Sequence, residues 1–194
     1  DLGAELPLPT KILISVSDAL VNNGIASGIA VFLFVVIVSR VLKTQKGKYA
    51  FQFLLLNAPV FGPIVKKMNI ARFARNISSL LKTDIMIIKT FQITASVLGN
   101  LHYRKAILDM ADKIKKGGKL NEVILINPKL FPPVVAQMVA IGEETGELDN
   151  ILSELAEFYE EEVDQVMENL PAIIEPILIL VLGLGVGGVA VSII

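Results

Sequence analysis

The stretch ALVNNGIASGIAVFLFVVIVS, residues 19–39, decides how the rest of the chain has to be organised. These 21 residues between Asp18 and Arg40 carry no charge. As a helix rising about 1.5 Å per residue they would reach about 30 Å, the thickness of the hydrocarbon core of a bilayer. The run is too long for a signal peptide and the residues before it are not basic. We therefore expect a transmembrane helix at 19–39.

A second apolar run, PILILVLGLGVGGVAVSII, occupies residues 176–194 and also carries no charge. Pro171 and Pro176 should bend the chain where it meets the membrane surface. We expect a second transmembrane helix at 171–194. Glycines four residues apart allow membrane helices to approach each other closely. The glycines expected to pack the spans in this way are Gly24, Gly28, Gly183 and Gly187.

Lysine and arginine set the expected orientation of the two spans. Four basic residues follow the first span within ten positions, whereas Lys11 alone precedes it. Because cytoplasmic segments next to spans are enriched in such residues, the part between the spans should be cytoplasmic. The expected organisation is a periplasmic or interfacial segment at 1–18, a transmembrane helix at 19–39, a cytoplasmic helical domain at 40–170 and a transmembrane helix at 171–194.

The expected cytoplasmic domain has the periodicity of helices. Apolar side chains recur three and four residues apart, as at Ile70, Ala74 and Ile77, and no alternating strand pattern is present. Turn formers and capping residues divide the segment. They predict helices at about 46–57, 63–82, 85–98, 101–116, 119–126, 132–145 and 147–170. The expected fold class is all-α, an antiparallel helical bundle flanked by two transmembrane helices.

Charge is divided between two consecutive parts of the chain. Residues 40–119 hold 16 of the 18 lysines and arginines with three acids, a net charge of +13. Residues 120–175 hold 13 of the 19 acids with Lys129 as the one base, a net charge of −12. Basic and acidic helices that face each other within a fold or oligomer would explain this division. Docking of charged partners or anionic lipid headgroups would explain it equally well.

We expect no catalysis, no cofactor, no metal site and no nucleic-acid partner. The sequence has no cysteine, and the single histidine, His102, is interpreted as an exposed residue in a first helical turn. No glycine-rich loop leads to a Lys-Ser or Lys-Thr pair. Acidic residues along the last predicted helix have no histidine partner and are expected to be solvated. These residues form one acidic stripe, which consists of Glu154, Glu157, Glu161, Asp164, Glu168 and Glu175. The stripe could also attract cations, so an oligomeric channel or transporter component is the alternative function.

Several blocks of residues, in a fixed order between the two spans, resemble a known family. The blocks are ELPLPT at 5–10, PVFGP at 59–63, ARFAR at 71–75, FPP at 131–133, GEETG at 142–146, FYEEEV at 158–163 and EP at 175–176. They are similar to those of the type II secretion F-type or type IV pilus inner-membrane platform proteins. The family commonly has a Ser-Gly-Val-Pro-like turn where this chain has TDIM at 83–86. Asp84 is expected to cap the next helix in its place.

The resemblance implies a scaffold in the bacterial inner membrane. Such a protein has two related cytoplasmic helical domains, of which this chain would hold the C-terminal one. It would couple a cytoplasmic assembly or retraction ATPase to the insertion or extraction of pilin or pseudopilin subunits. Inner-membrane alignment proteins, membrane lipid and further copies of the chain are the other implied partners. The resemblance does not distinguish between a retractile pilus, a competence pseudopilus and a secretion pseudopilus.

Polar residues in the resembling blocks and along the acidic stripe are the candidates for contact with partners. The segment QMVAIGEETGELD, residues 137–149, carries the most specific local signal. Gly146 is expected to take a left-handed conformation that ends one helix, and the acids after it favour the start of the next. The expected partner interface consists of Arg72, Arg75, Gly142, Glu143, Glu144, Gly146, Glu161, Glu168 and Glu175.

Overall fold

A computed structural model describes residues 24–193, with all side chains of residues 38–169 and some of those on either side. The described residues form helices and no strand. The helices are α1 (Gly24–Lys43), α2 (Gln45–Asn57), α3 (Phe61–Leu81), α4 (Ile87–Val97), α5 (Leu101–Lys115), α6 (Leu120–Leu125), α7 (Pro133–Thr145) and α8 (Leu148–Ile193). The prediction of an all-helical fold is confirmed. Predicted helix ends in the range 46–147 lie within two residues of the observed ones.

The chain divides into two compact units. One is Gln45–Glu168, called here the bundle unit, and the other comprises Asp1–Thr44 with Asn169–Ile194. The second unit is called the terminal unit, and its described residues are α1 and the continuation of α8 from Asn169. The predicted segment 1–18 lies outside the described residues.

The terminal unit contains the parts of the chain predicted to span the membrane. Among the described residues, no helix has both the length and the apolar character needed to cross a bilayer. The predicted spans 19–39 and 171–194 include positions outside the described residues, and both stay predictions. A Cβ atom added at Gly28 or Gly183 would meet no described atom within 4 Å. Gly24 and Gly187 have no described surroundings, so the packing role of all four glycines also stays a prediction.

Helix α8 continues through both of its prolines. It runs for 46 residues with Pro171 and Pro176 inside it, so the domain boundary expected at 170 is not marked by a helix break. Proline removes one backbone donor and restricts the residue before it, but an isolated proline can be accommodated in a long helix.

An apolar core fills the centre of the bundle unit. Phe73, Phe91 and Phe131 are buried together, with ring centroids 5.8 Å apart for the first pair and 5.0 Å for Phe73 and Phe131. Both pairs are edge-to-face, the arrangement that aromatic rings prefer. Tyr103 packs on Phe131 and donates its hydroxyl hydrogen to the backbone oxygen of Leu130 at 2.7 Å. Burial raises the pKa of Tyr103, so the hydroxyl stays protonated.

The helical periodicity of the sequence explains which faces enter this core. The predicted apolar face of α3, at Ile70, Ala74 and Ile77, is buried as expected. On α8 the side chains of Leu152 and Leu155 are buried in the same core. Helix α4 packs mainly on α5, α6 on α7 and α2 on α3, so neighbours in sequence are also neighbours in the bundle.

His102 differs from its predicted position. It lies in the first turn of α5 as expected, but it is partly buried rather than exposed. Its ring stacks on Tyr49 with centroids 3.8 Å apart, and Nε2 lies 3.0 Å from the backbone oxygen of Tyr49. The local sequence around His102 is polar and gave no sign of α2, which packs on it from about fifty residues away in the sequence.

Candidate functional site

One cleft of the bundle unit is lined by residues at the ends of six helices. It has a volume of about 580 Å³. Helices α3, α5 and α7 end at the cleft, and α4, α6 and α8 begin there. The residues that line it are Leu81, Lys82, Asp84, Ile87, Ile114, Gly118, Leu120, Gly142, Glu143, Gly146, Leu148 and Asp149. The segment with the most specific local signal, residues 137–149, therefore contributes five of the lining residues, all within 142–149.

Asp84 forms the turn that ends α3 at this cleft. Its backbone N–H donates to the oxygen of Leu81 at 3.0 Å, and the N–H of Ile85 donates to the oxygen of Leu80 at 3.4 Å. This pair of bonds is a Schellman motif with Asp84 at its left-handed position, where φ is 57°. The prediction that Asp84 caps α4 is wrong. Met86 occupies that position and supplies no side-chain cap.

Glycine occupies the left-handed position where the other two helices end. Gly117 follows α5 with φ of 88°, and the N–H of Gly118 donates to the oxygen of Lys113 at 3.1 Å. Gly146 follows α7 with φ of 76°, which confirms the predicted left-handed cap. An L-residue in this conformation costs about 1 kcal/mol more than glycine. Asp84 is thus the one strained turn residue among these three, and strain of this kind is typical of functional sites.

Gly142 brings two walls of the cleft into contact. A Cβ atom at this position would lie 2.9 Å from the Cα atom of Leu148 and 3.3 Å from Cβ of Ile151. Contacts below 3.0 Å between such atoms do not occur in relaxed structures. The close approach of α7 to the start of α8 therefore requires glycine. This residue was predicted to belong to a partner interface, but the structure buries it and shows its packing role.

Acidic side chains set the electrostatic character of the cleft. Asp84, Glu143 and Asp149 contribute three carboxylates, and Lys82 contributes one ammonium group. Since three helices end here and three begin, their macrodipoles largely offset each other and the side chains decide the sign. Oε1 of Glu143 accepts a hydrogen bond from the N–H of Leu120 at 3.2 Å, which caps α6. Among the residues that line the cleft, the acids outnumber the bases by three to one.

A second charged surface of the bundle unit is internally paired. The guanidinium of Arg75 on α3 holds Glu160 of α8 in a fork, with distances of 2.6 Å from Nη2 to Oε2 and 3.1 Å from Nε to Oε1. Glu157 lies 3.7 Å from the same guanidinium. Two residues further along α8 than Glu160, Glu162 accepts from Lys67. We call these residues of α3 and α8 the paired face.

The hydrogen bonds of the paired face shift the ionisation of its members. The hydrogen bond to Glu160 raises the pKa of Arg75, and the same bond holds the pKa of the Glu160 carboxyl below its usual value of 4.5. Both shifts favour the charged forms, so the pair is ionised at neutral pH. Bases from the basic part of the chain thus neutralise acids from the acidic part, the first of the two explanations that the sequence left open.

The other predicted interface residues lie on the surface. Arg72 is exposed. It lies one turn of α3 away from Arg75, which belongs to the paired face. The exposed acids among them are Glu144, Glu161, Glu168 and Glu175. Sequence reasoning did not place Lys82, Asp84 and Asp149 in one cleft with Glu143. Lys82 and Asp84 reach the cleft from the end of α3, which is far from α7 in the sequence. Among the described residues, no group of three or more histidine, aspartate or glutamate side chains is placed to hold a metal ion.

Comparison with known proteins gives a consistent set of relatives. Residues 73–194 match the family described as Type II secretion system (T2SS), protein F. The chain is 40% identical over 191 residues to the type IV pilus assembly protein PilC of Thermus thermophilus, covering 96% of this chain and 46% of that protein. It is 33% identical over 194 residues to PilC of Pseudomonas aeruginosa, covering 98% of this chain and 51% of that protein.

A secretion protein is among the more distant relatives. The type II secretion system protein F of Vibrio cholerae is 28% identical over 178 residues, which cover 92% of this chain and 44% of that protein. The chain therefore spans about half the length of the curated relatives it matches.

Proposed function

The chain belongs to the family of type II secretion system F proteins and their type IV pilus relatives, and on this premise we propose that it is part of a platform in the bacterial inner membrane. The platform couples a cytoplasmic assembly or retraction ATPase to the insertion or extraction of pilin or pseudopilin subunits. Two apolar segments, 19–39 and 171–194, anchor it, and the bundle unit lies on the cytoplasmic side. Alignment proteins of the inner membrane and further copies of the chain complete the assembly.

The names of the relatives support the choice of machine. Relatives in three organisms are named for type IV pilus assembly or for type II secretion, and both kinds match nearly the whole of this chain. A protein common to both machines performs a step that both need. The movement of pilin-like subunits between a membrane and a filament is such a step.

The cleft is the main support for a specific contact between this chain and the ATPase. Its lining includes Gly142, Glu143 and Gly146 of the family segment, and it has three carboxylates and one lysine in all. On the paired face two bases of α3 form ion pairs with three acids of α8, whereas the lining of the cleft has three acids and one lysine. We assign the cleft to a basic segment of the ATPase, because a cationic side chain would complete the charge balance that the fold leaves open.

The position of the cleft suits the transmission of force. Leu148 and Asp149 line the cleft and open α8, so a partner seated there acts on the first turn of the longest helix. The same partner touches the ends of five other helices, all joined to the aromatic core. Because packed interiors resist compression, displacement at the cleft moves the bundle unit as a body. The function is then mechanical and requires no chemistry from this chain.

Charge reversal at the cleft tests the proposal. Glu143→Lys in the lining of the cleft, combined with Glu144→Lys at the exposed residue next to it, should abolish filament assembly in cells and prevent co-purification of the ATPase, because a basic partner segment would meet like charges. Glu143→Gln removes the negative charge of this side chain but keeps its cap of α6, since the amide oxygen can still accept from the N–H of Leu120.

A matched pair of exposed acids serves as the control. Glu154→Lys combined with Asp164→Lys changes the charge equally on the exposed side of α8, outside the cleft. This control should leave assembly and ATPase association intact. If the Glu143 and Glu144 variant assembles filaments and retains the ATPase as well as the control does, the cleft is not the contact site.

A further inference from the structure

Helix α2 is fixed to the bundle unit along one side. Oε1 of Gln52 accepts from the N–H of Leu101 at 2.7 Å, and its Nε2 donates to the oxygen of Gly99 at 3.1 Å. The ring of His102 stacks on Tyr49, and Leu56 is buried in the core. These contacts hold the helix in one rotational position about its axis. The direction of its opposite side is therefore determined by the fold.

The opposite side of α2 is apolar and exposed. On this side Leu54 is 71% exposed and Phe51 is 47% exposed. Phe53 is 58% exposed but lies at the edge of this side, with its ring centroid 5.8 Å from that of His102. The corner that follows adds Val60 and Phe61, which are about half exposed. Such a contiguous group of large apolar side chains is unusual on a surface that stays in water, and it marks a site of contact with a partner or a membrane.

Basic residues border this apolar face. Lys46 and Lys48 lie in the first turn of α2, and both are exposed. Residues 19–83 contain no acidic residue, so nothing in this part of the sequence offsets the lysines. A helix with an apolar face bordered by lysines is typical of segments that lie in the interface of a bilayer with anionic lipids.

The position of α2 along the chain supports a membrane as its partner. This step rests on the membrane placement proposed above. The predicted span ends at residue 39 and α2 begins at Gln45. Six residues reach about 20 Å even when fully extended. The start of α2 therefore stays close to the headgroups once the span is inserted.

We propose that α2 lies in the cytoplasmic surface of the membrane. Phe51 and Leu54 enter the boundary between headgroups and acyl chains, and Lys46 and Lys48 contact anionic phosphates. The helix would fix the height of the bundle unit above the membrane, because its inner side is tied to α5.

Tryptophan fluorescence offers a direct test, because the chain contains no tryptophan. Leu54→Trp places a single fluorophore on the apolar face, at a side chain that is 71% exposed. Met86→Trp, at a side chain that is 79% exposed at the start of α4, is the control. Each variant is reconstituted in vesicles of phosphatidylglycerol and phosphatidylcholine, with and without bromine on the acyl chains. Bromine should quench the fluorescence of the Leu54→Trp variant about twofold and leave that of the Met86→Trp variant unchanged, since only the first fluorophore reaches the acyl boundary.

Two further measurements make the result decisive. Adding Lys46→Glu and Lys48→Glu to the Leu54→Trp variant should reduce its quenching in anionic vesicles to the level seen with phosphatidylcholine alone. Flotation of the vesicles shows separately whether the chain is held by the membrane. Failure to float contradicts the membrane placement itself. The proposal for α2 is overturned if a floating Leu54→Trp variant is unquenched, is quenched no more than the control variant, or is quenched equally with and without the lysines.

Discussion

The paired face and the cleft are two acidic surfaces of one bundle unit, and they use their carboxylates in opposite ways. On the paired face, Glu160 and Glu162 of α8 meet Arg75 and Lys67 of α3 within hydrogen-bonding distance. In the cleft, three carboxylates share the space with one lysine. The first arrangement pairs its carboxylates with bases within the fold, with two bases for three acids. The second leaves an excess of negative charge, which a partner can neutralise.

The backbone shows the same difference between the two surfaces. The paired face consists of two regular helices, and its residues adopt ordinary helical conformations. The cleft consists of helix ends, with Asp84 held at a positive φ of 57°. A fold that needed only stability would place glycine there, as it does after α5 and α7. The paired face is therefore built from regular helices, whereas the cleft includes one residue, Asp84, that glycine could replace with less backbone strain.

Gly142→Val should give the largest change in stability, because it fills the contact between the two walls of the cleft. The first atom of the new side chain would lie 2.9 Å from the Cα atom of Leu148, a backbone atom that cannot rotate away. Overpacking of this kind should lower the free energy of unfolding by about 3 kcal/mol. Chemical denaturation of the purified chain measures it.

Gly99→Ala is the control for this change. A Cβ atom at Gly99 would meet no atom within 4 Å, and its φ is not in the left-handed region. This variant should unfold within about 0.5 kcal/mol of the parent chain. If both variants lose equal stability, the contact at Gly142 does not hold the cleft together.

Asp84→Gly should separate stability from function. Glycine relieves the left-handed strain and should raise the free energy of unfolding by about 1 kcal/mol. The same change removes one carboxylate from the cleft and should weaken ATPase association. Gly117→Ala is the reciprocal control, because it introduces the strain after α5 and should lower stability by a similar amount. A stabilised variant with unchanged association would show that Asp84 has no part in the contact.

The coupling free energy between Arg75 and Glu160 should be smaller than the stability changes at Gly142 and Asp84. Both side chains are more than a third exposed, so a double-mutant cycle with Arg75→Met and Glu160→Gln should give about 0.5 kcal/mol. Glu154 carries the same charge at an exposed position of α8, and its cycle with Arg75 should give a coupling near zero. Equal couplings for Glu154 and Glu160 would contradict the specific pairing seen on the paired face.

The pH dependence of this coupling should be the smallest effect and has a defined sign. The pKa of Glu160 is lowered by its hydrogen bond to Arg75, so the pair contributes its full stability above the usual carboxyl value of 4.5. That contribution is lost as the pH falls through the lower pKa of the folded state. Denaturation curves at neutral pH and in acid below the folded-state pKa should show the coupling in the first condition and a weaker one in the second.

The helices could be predicted from the sequence because their signals are local. The apolar spacing at Ile70, Ala74 and Ile77 needs no partner to be recognised, and Gly146 ends α7 by its own conformational freedom. The convergence of Lys82, Asp84 and Asp149 on Glu143 could not be predicted in this way. It depends on three helix ends meeting in space, which spacing along one helix does not encode.

Two predictions about individual residues show the same limit of local reasoning. Asp84 was expected to cap α4 because it precedes that helix, but its backbone completes the end of α3. Arg72 and Arg75 look equivalent in the sequence, yet only Arg75 lies on the side of α3 that faces the acids of α8. The direction of a side chain follows from the placement of its helix, and tertiary packing decides that placement.

The most direct test compares the affinity of the full-length chain for its assembly ATPase after equal losses of charge at the two surfaces. Glu143→Gln with Asp149→Asn neutralises two acids of the cleft, and Glu157→Gln with Glu160→Gln neutralises two acids of the paired face. The account predicts a Kd about tenfold or more higher for the cleft variant, because charged contacts are lost. The paired-face variant should bind as the parent chain does. Equal affinities for the two variants would contradict the account.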